Sequence, residues 1–385
     1  MEKLCDKCKW FENEKCIHIE GSCLKIDGDG RRPDSVEFSS MEEDAKRRDL
    51  TINGLFFDPI KEEIFDFVNG ENDMNHKEIR FIGDAQERID EDHLRMLRAI
   101  RFTSRLGFNI DNDTKNVIKK NAHKINDISM ERIKSELDKM LLVRKPSHAF
   151  NLLKEVGLLE HILPEVDVLE DCEQSPKWHS EGNVFIHSMM VLDAMRNKTN
   201  NLEALWAALL HDIGKPATKV VNGDNISNNG HDKIGAKIAE SILIKFRSST
   251  KEKKMIVSLV NDHMKSGSVK KMKKSTLRKL IAQDNFNNLL LLFESDNESS
   301  IPDDIERENK KMEGVEFIKD FIFEFENEIE LPKPFVNGKD LIDIGIKPGP
   351  MFRDILSNLF NMQLEGSINN RDKALEILNN NFVRR

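Results

Sequence analysis

Imidazole and carboxylate side chains recur through the second half of this sequence as His187, the adjacent pair His211-Asp212, then His231, His263 and Asp296. Such donors suit a first-row divalent ion, and open positions on that ion would activate water against a phosphate ester. A lone histidine on an apolar helix more often packs than ligates. The adjacency of His211 and Asp212, with Gly214 and Lys215 close behind, is the stronger signal. Asp262, beside His263, competes with Asp296 as the late carboxylate. A second donor set opens the chain: Cys5, Cys8, Cys16 and Cys23, spaced C-x2-C-x7-C-x6-C. In a reducing compartment four thiolates can close a structural zinc site, His18 being able to replace one, against the plain alternative of free surface thiols. Cys172 stands apart and reads as a packed side chain.

The elements that must carry these groups change character along the chain. Turn residues at 27–33 are followed by strand-like pieces at Ser35 to Phe38, Leu55 to Phe57 and Glu63 to Val68, expected to share a sheet. From about Asp90 the pattern is helical almost to the end, with glycine and proline confined to breaks near 157, 164, 214, 332 and 348. A helix is expected to start near Glu91. Met96, Ala99, Ile100, Thr103 and Leu106 form its buried stripe, and Arg98, Arg101 and Arg105 lie on a face able to hold anions. Either Glu91 or Asp92 would share a helix face with Arg95.

Bulk properties set outer limits. A length of 385 residues suits two to four domains, and a net charge of -9 offers polyanions no general attraction, so any RNA contact must be local. Lys270, Lys271, Lys273, Lys274, Arg278 and Lys279 form the clearest local basic run, which a solvated helix end would also explain. No stretch has the apolar length of a membrane helix and the polar start does not read as a signal peptide, so no membrane partner and a cytoplasmic location are expected.

Five ordered motifs carry a resemblance to the class II tRNA nucleotidyltransferase and poly(A) polymerase family, in its bacterial CCA-adding branch with an HD domain. Glu43-Asp44-Ala45-Lys46-Arg47-Arg48-Asp49-Leu50-Thr51-Ile52-Asn53 is similar to the family's E-D-x-x-R-R-D motif with its trailing T-I-N. Asp66 to Asp73, Ile79 to Arg88, Glu91-Asp92-His93-Leu94-Arg95-Met96-Leu97-Arg98-Ala99-Ile100-Arg101-Phe102, and Glu131 to Leu137 follow in the family's order. The resemblance implies that Asp92 and Arg95 imitate a template base. Cytosine and adenine both offer an exocyclic amino donor, which a carboxylate can accept while a guanidinium donates to the ring. It implies further that Arg47 and Arg48 meet a triphosphate, that Asp49 accepts from ribose hydroxyls, and that Asn53, Arg98 and Arg101 complete the nucleotide site. The implied substrates are ATP, CTP and a tRNA 3′ end, with magnesium for transfer.

The family's glycine-rich G-G-x-V-R-D segment and its D-x-D strand, which bind the transfer metals, have no counterpart here; Asp27 and Asp29 match a later loop. Truncation, a separate polypeptide supplying the missing strands, or decay of the head would each explain this, and the isolated chain is expected to transfer nucleotides poorly. The histidines and aspartates are similar to the HD phosphohydrolase pattern. That resemblance implies His187, His211, Asp212 and Asp296 as ligands of nickel, cobalt, manganese or magnesium, and His231 and His263 as accessory ligands or phosphate contacts. Asp212 and Lys215 are the expected catalytic groups. The expected class is mostly α with a small α+β remnant. Residues 1–26 form a cysteine-rich segment, 27–88 a partial nucleotidyltransferase head, 89–165 a nucleotide- and RNA-binding neck and body, 166–300 an HD-type helical domain and 301–385 a helical tail. Alternatives are a metal-dependent phosphatase or phosphodiesterase with a degenerate head, or a noncatalytic RNA-binding remnant.

Overall fold

The structure, a computed structural model, describes residues 23–27, 35–223, 225–324 and 331–382. Cys5, Cys8, Cys16, His18 and Asp29 lie outside the described residues, and so does the zinc reading. The chain forms two compact units, one ending at Lys124 and one beginning at Ile125. It is mostly helical, with only two-stranded sheets among the described residues.

In the first unit β1 (Cys23–Asp27) pairs antiparallel with β2 (Ser35–Ser39), and α1 (Met41–Arg47) starts in a reciprocal capping box between Ser40 and Glu43. β3 (Leu55–Asp58) and β4 (Glu63–Asp66) form a separate hairpin, so the strand-like pieces do not share one sheet. β4 ends two residues before Val68 because the Asp66 carboxylate accepts the N–H groups of Val68, Gly70 and Glu71 and turns the chain into α2 (Gly70–His76). β5 (Glu78–Ile79) leads to α3 (Ala85–Glu91), capped by Asp84, and then α4 (Arg95–Leu106). The helix expected from Glu91 is therefore two helices. Asp92 is extended, and its Oδ1 accepts the Leu94 N–H at 3.1 Å, which breaks the ladder. Of the stripe, Met96, Ala99, Ile100 and Thr103 are buried and Leu106 is partly exposed. β6 (Asn109–Ile110) pairs parallel with β5, and α5 (Asn112–Asn121) closes the unit.

The second unit opens with α6 (Met130–Leu141) and α7 (Pro146–Glu155), then two short turns, α8 (Leu159–Ile162) and α9 (Pro164–Asp167), separated by Pro164 at a helix start. Its heart is α10 (Val184–Lys198), packed on α7, α11 (Leu202–Leu210) and α16 (Phe286–Ser299). Seven of the nine residues of α11 are buried, Trp206 completely, so this helix is interior on every side. α12 (Lys215–Thr218) and the hairpin β7 (Val220–Asn222) and β8 (Asn225–Ser227) precede α13 (His231–Lys245), α14 (Thr250–Asp262) and α15 (Lys274–Ile281). After α16 come α17 (Ile305–Lys310) and α18 (Glu313–Glu324). The last helices, α19 (Gly338–Asp343), α20 (Pro350–Leu364) and α21 (Arg371–Phe382), bury a small core around Leu341, Ile355, Leu359 and Leu378.

Candidate metal centre

Six polar side chains that ought to cost free energy when buried lie together inside the second unit. His187 sits in the first turn of α10, behind the Asn183 cap; His211 and Asp212 follow α11, where the buried helix gives way to the Ile213-Gly214 turn. His231 opens α13, His263 follows α14, and Asp296 comes from α16. His187 and His211 are fully buried and Asp212 is 2% exposed. Burying such groups is unfavourable unless they are paired or bind a cation.

Each imidazole is oriented in the same way. Nδ1 of His211, His231 and His263 lies 2.8, 2.7 and 2.6 Å from the backbone oxygens of Ala208, Asn228 and Val260, three residues earlier in each case. Nδ1 of His187 lies 2.9 Å from Glu181 Oε1. With Nδ1 bonded outward, every Nε2 points inward, the orientation that a metal ligand needs once Nε2 carries no proton. Around Asp212 these nitrogens fall into two sets. Oδ2 is 3.2 Å from His211 Nε2 and 3.8 Å from His187 Nε2, and Asp296 Oδ1 is 3.0 Å from His187 Nε2. Oδ1 is 3.2 Å from His231 Nε2 and 3.7 Å from His263 Nε2.

Two details fit a cation. His231 and His263 face each other Nε2 to Nε2 at 3.1 Å, which places two lone pairs against each other unless a proton or a cation lies between or beside them. His211 Nε2 is buried without a hydrogen-bond partner. The donor set, four imidazoles and two carboxylates, is that of a divalent first-row ion. Asp262 is turned away, its carboxylate 2.8 Å from Lys265 Nζ, so the late carboxylate in this cluster is Asp296.

Electrostatics follow the geometry. Burial pushes the Asp212 carboxyl up, but His211 and Lys215 beside it outweigh that and hold it well below the usual carboxylate range. Burial disfavours the charge on His187, yet hydrogen bonds to Asp296 and Glu181 raise it to about 9. Lys215 Nζ is 2.6 Å from Asp212 Oδ2 and donates to Gln174 Oε1 at 2.6 Å, at the edge of the cluster.

Glu181, its partner His179, and Gln174 escaped the sequence reading. Glu181 is buried and accepts from both His179 and His187, so burial, which raises it, is outweighed and it is lowered to about 2. Its other oxygen accepts the Ile301 N–H at 3.0 Å, tying the start of α10 to the chain just beyond Asp296. Gln174 fixes Lys215. The available signal was the polar stretch His179-Ser180-Glu181 just ahead of the helix that carries His187.

Gly214 sets how closely α13 approaches. A Cβ there would lie 2.2 Å from the His231 backbone oxygen and 2.6 Å from the Gly235 nitrogen. Gly214→Ala is therefore expected to displace the His231 end of α13 and lower metal affinity by at least tenfold, measured by calorimetric titration with manganese; unchanged affinity would refute this packing role.

The expected nucleotide site lies in the first unit. Asp49, 6% exposed, accepts from the Leu50 N–H, from Asn53 and, at 2.5 Å, from Arg98 Nε. Those pairs hold it low against the upward push of burial. Arg48 is fixed by Asp44 and the Asn53 carbonyl, and Arg47 bonds Asp44 at 3.1 Å. Arg95 pairs with Glu91 across the break between α3 and α4 and donates to the Arg47 carbonyl at 3.1 Å, so the pairing is with Glu91 but not along one helix face. Arg101 is 5% exposed, its guanidinium 4.3 Å from the Phe102 ring centre. In the basic run Lys270 pairs with Glu313 and Lys279 with Asn361. No described helix is long and apolar enough to cross a membrane.

Comparison with known proteins gives three segment matches in chain order. A poly A polymerase head domain model matches residues 8–80, a model described as a probable RNA and SrmB-binding site of polymerase A matches 107–169, and an HD domain model matches 184–288. The head match thus begins before Asp27 and includes part of the cysteine segment. A multifunctional CCA protein of Laribacter hongkongensis is 31% identical over 63% of this chain and 59% of its own length; one from Acinetobacter baumannii (strain AYE) is 30% identical over 63% and 58%. The chain spans about three fifths of the length of these curated relatives. The fold is shared with the Bacillus stearothermophilus CCA-adding enzyme crystallised with CTP, at a TM-score of 0.65 and 22% identity over 94% of this chain and 82% of that one. A Thermotoga maritima CCA-adding enzyme gives 0.51 and 17% over 88% and 73%. By its head, RNA-binding and HD segments, this chain belongs to the poly(A) polymerase and tRNA nucleotidyltransferase family, in the branch that carries an HD domain.

Proposed function

We propose that this protein acts in the cytoplasm on tRNA 3′ ends, and that its second unit is a metal-dependent phosphohydrolase centred on Asp212. The observation that carries the hydrolase reading is the convergence of four inward Nε2 atoms on one buried carboxylate. We read the two sets as places for two divalent ions that share Asp212, with His187, His211 and Asp296 on one side and His231 and His263 on the other. Such ions would polarise a phosphoryl oxygen and activate water. The chain's own groups then do the rest. Glu181 and the three backbone carbonyls keep each imidazole in the ligating tautomer. Lys215, held by Gln174, offers a cationic contact for a phosphate oxygen at the rim. Protein purified with manganese, cobalt or nickel is expected to hydrolyse adenosine 2′,3′-cyclic phosphate and to lose that activity in His211→Ala; no metal-dependent turnover, or equal turnover in the variant, rejects the reading.

In the first unit we read a site that selects CTP and ATP. In that reading Asp92 and Arg95 take the template role, Arg47 and Arg48 meet the phosphates, and Asp49 and Asn53 shape the ribose side. Wild-type protein is expected to bind CTP and ATP more tightly than UTP in calorimetric titration with magnesium, and Asp92→Ala to lose that preference. Equal discrimination by the variant would remove Asp92 from the site.

A further inference from the structure

The two donor sets around Asp212 differ in number and charge rather than in spacing. In the first, His187 Nε2, Asp296 Oδ1, His211 Nε2 and Asp212 Oδ2 form a closed ring of contacts at 3.0, 3.9, 3.2 and 3.8 Å. In the second, Asp212 Oδ1, His231 Nε2 and His263 Nε2 form a triangle of 3.2, 3.1 and 3.7 Å. Donors bonded at about 2.1 Å to one ion stand roughly 3.0–3.4 Å apart, so both sets are already near the bound spacing. The first offers four protein donors and the second three.

Charge separates them further. The first set holds the Asp296 carboxylate, and Glu181 Oε1 stands 2.9 Å from Nδ1 on the far side of the His187 ring. Lys215 Nζ, 2.6 Å from Asp212 Oδ2, offsets one of these two charges. Among the described residues the second set has no carboxylate beyond Asp212: its imidazoles lean on the Asn228 and Val260 carbonyls, and Asp262 is turned to Lys265. Glu181 is also locked in place. Its side chain is 2% exposed, Oε1 faces Nδ1 of both His179 and His187, and Oε2 accepts the Ile301 N–H. A carboxylate behind a ligating imidazole raises the basicity of that ligand and is worth roughly 10- to 100-fold in metal affinity. A second dication must also bind against the charge of the first across the shared carboxylate. We propose that the centre loads in order: a first ion is held tightly by His187, His211, Asp296 and Asp212, with Glu181 as the positioning residue that makes this set the stronger, and a second, exchangeable ion at His231 and His263 switches hydrolysis on. The activity therefore follows the free divalent metal concentration. The inference rests on the phosphohydrolase reading and adds its regulation.

Calorimetric titration of metal-free protein with manganese tests the order. Wild-type protein is expected to bind in two phases whose dissociation constants differ by roughly tenfold or more, and half-maximal turnover of adenosine 2′,3′-cyclic phosphate should need manganese at the weaker constant. Glu181→Gln keeps the size and removes the charge, so it should weaken the tight phase roughly tenfold and draw the two constants together. His263→Gln should delete the weak phase, keep the tight one and abolish turnover. Circular dichroism reports whether each variant folds; if one does not, the other and the wild-type phases decide. Two ions of equal affinity, a tight phase lost in His263→Gln, or half-activation at the tighter constant overturns the loading order and leaves the phosphohydrolase reading standing. A tight phase unchanged in Glu181→Gln overturns the positioning role. Ordered binding without hydrolysis supports the order and removes the phosphohydrolase reading, and no binding at all overturns both.

Discussion

Asp212→Asn is expected to reduce phosphoester hydrolysis by well over a hundredfold and to lower bound manganese to less than one ion per chain. Each Asp212 oxygen faces a different pair of imidazoles, so the substitution removes charge from both halves at once. Changes to outer-shell partners of metal ligands already cost about 10- to 100-fold, and a shared inner carboxylate must cost more. The amide keeps the shape and retains one oxygen, so the fold should persist; far-ultraviolet circular dichroism should be unchanged while elemental analysis reports the lost metal. Full turnover in a normally folded variant would mean that Asp212 is a structural ion-pair residue of Lys215.

Divalent metal should also stabilise the second unit by a large and pH-dependent amount. At a free concentration a hundred times the dissociation constant, binding to the folded state alone is worth about 2.7 kcal/mol, a rise of roughly 5–10 °C in the unfolding midpoint of a unit this size. The sign of the pH dependence follows from His187. In metal-free protein its pKa stands at about 9 in the fold, above its ordinary 6.5. Its contribution is therefore complete below pH 6.5 and is lost as pH rises through 9. The metal must displace that proton, so metal-induced stabilisation should be small at pH 6 and grow toward pH 9. Differential scanning fluorimetry with and without manganese across that range tests it; a metal-induced rise that is larger at pH 6 than at pH 9 would contradict the ligand role of His187.

The sequence made the chemistry of the second unit legible because its ligands sit where helices begin or end. His211 and Asp212 follow a helix whose last seven residues are all apolar, and they precede a glycine by two positions, a place where polar residues stand out. Asp296 was harder, since Asp262 adjoins a histidine; the resemblance favoured Asp296, and the turn of Asp262 toward Lys265 agrees with that choice. Glu181 was invisible as a partner of His187 because hydrogen bonds between a loop and a helix leave no periodicity. In the first unit the apolar stripe of α4 predicted its buried face correctly. The break at Asp92 was missed because a short aspartate side chain competing for the Leu94 N–H is a local event that a helical pattern does not register. Arginine can bury its stem and stack on a ring, as Arg101 does on Phe102, so charge alone does not assign a face to water.

The central claim is that the buried histidines and aspartates hold divalent ions. Crystals grown with manganese, with diffraction recorded near the manganese absorption edge, test it most directly. The account predicts two anomalous peaks on either side of Asp212, one against His187, His211 and Asp296 and the other against His231 and His263. Well-ordered side chains with no anomalous density among them would contradict it.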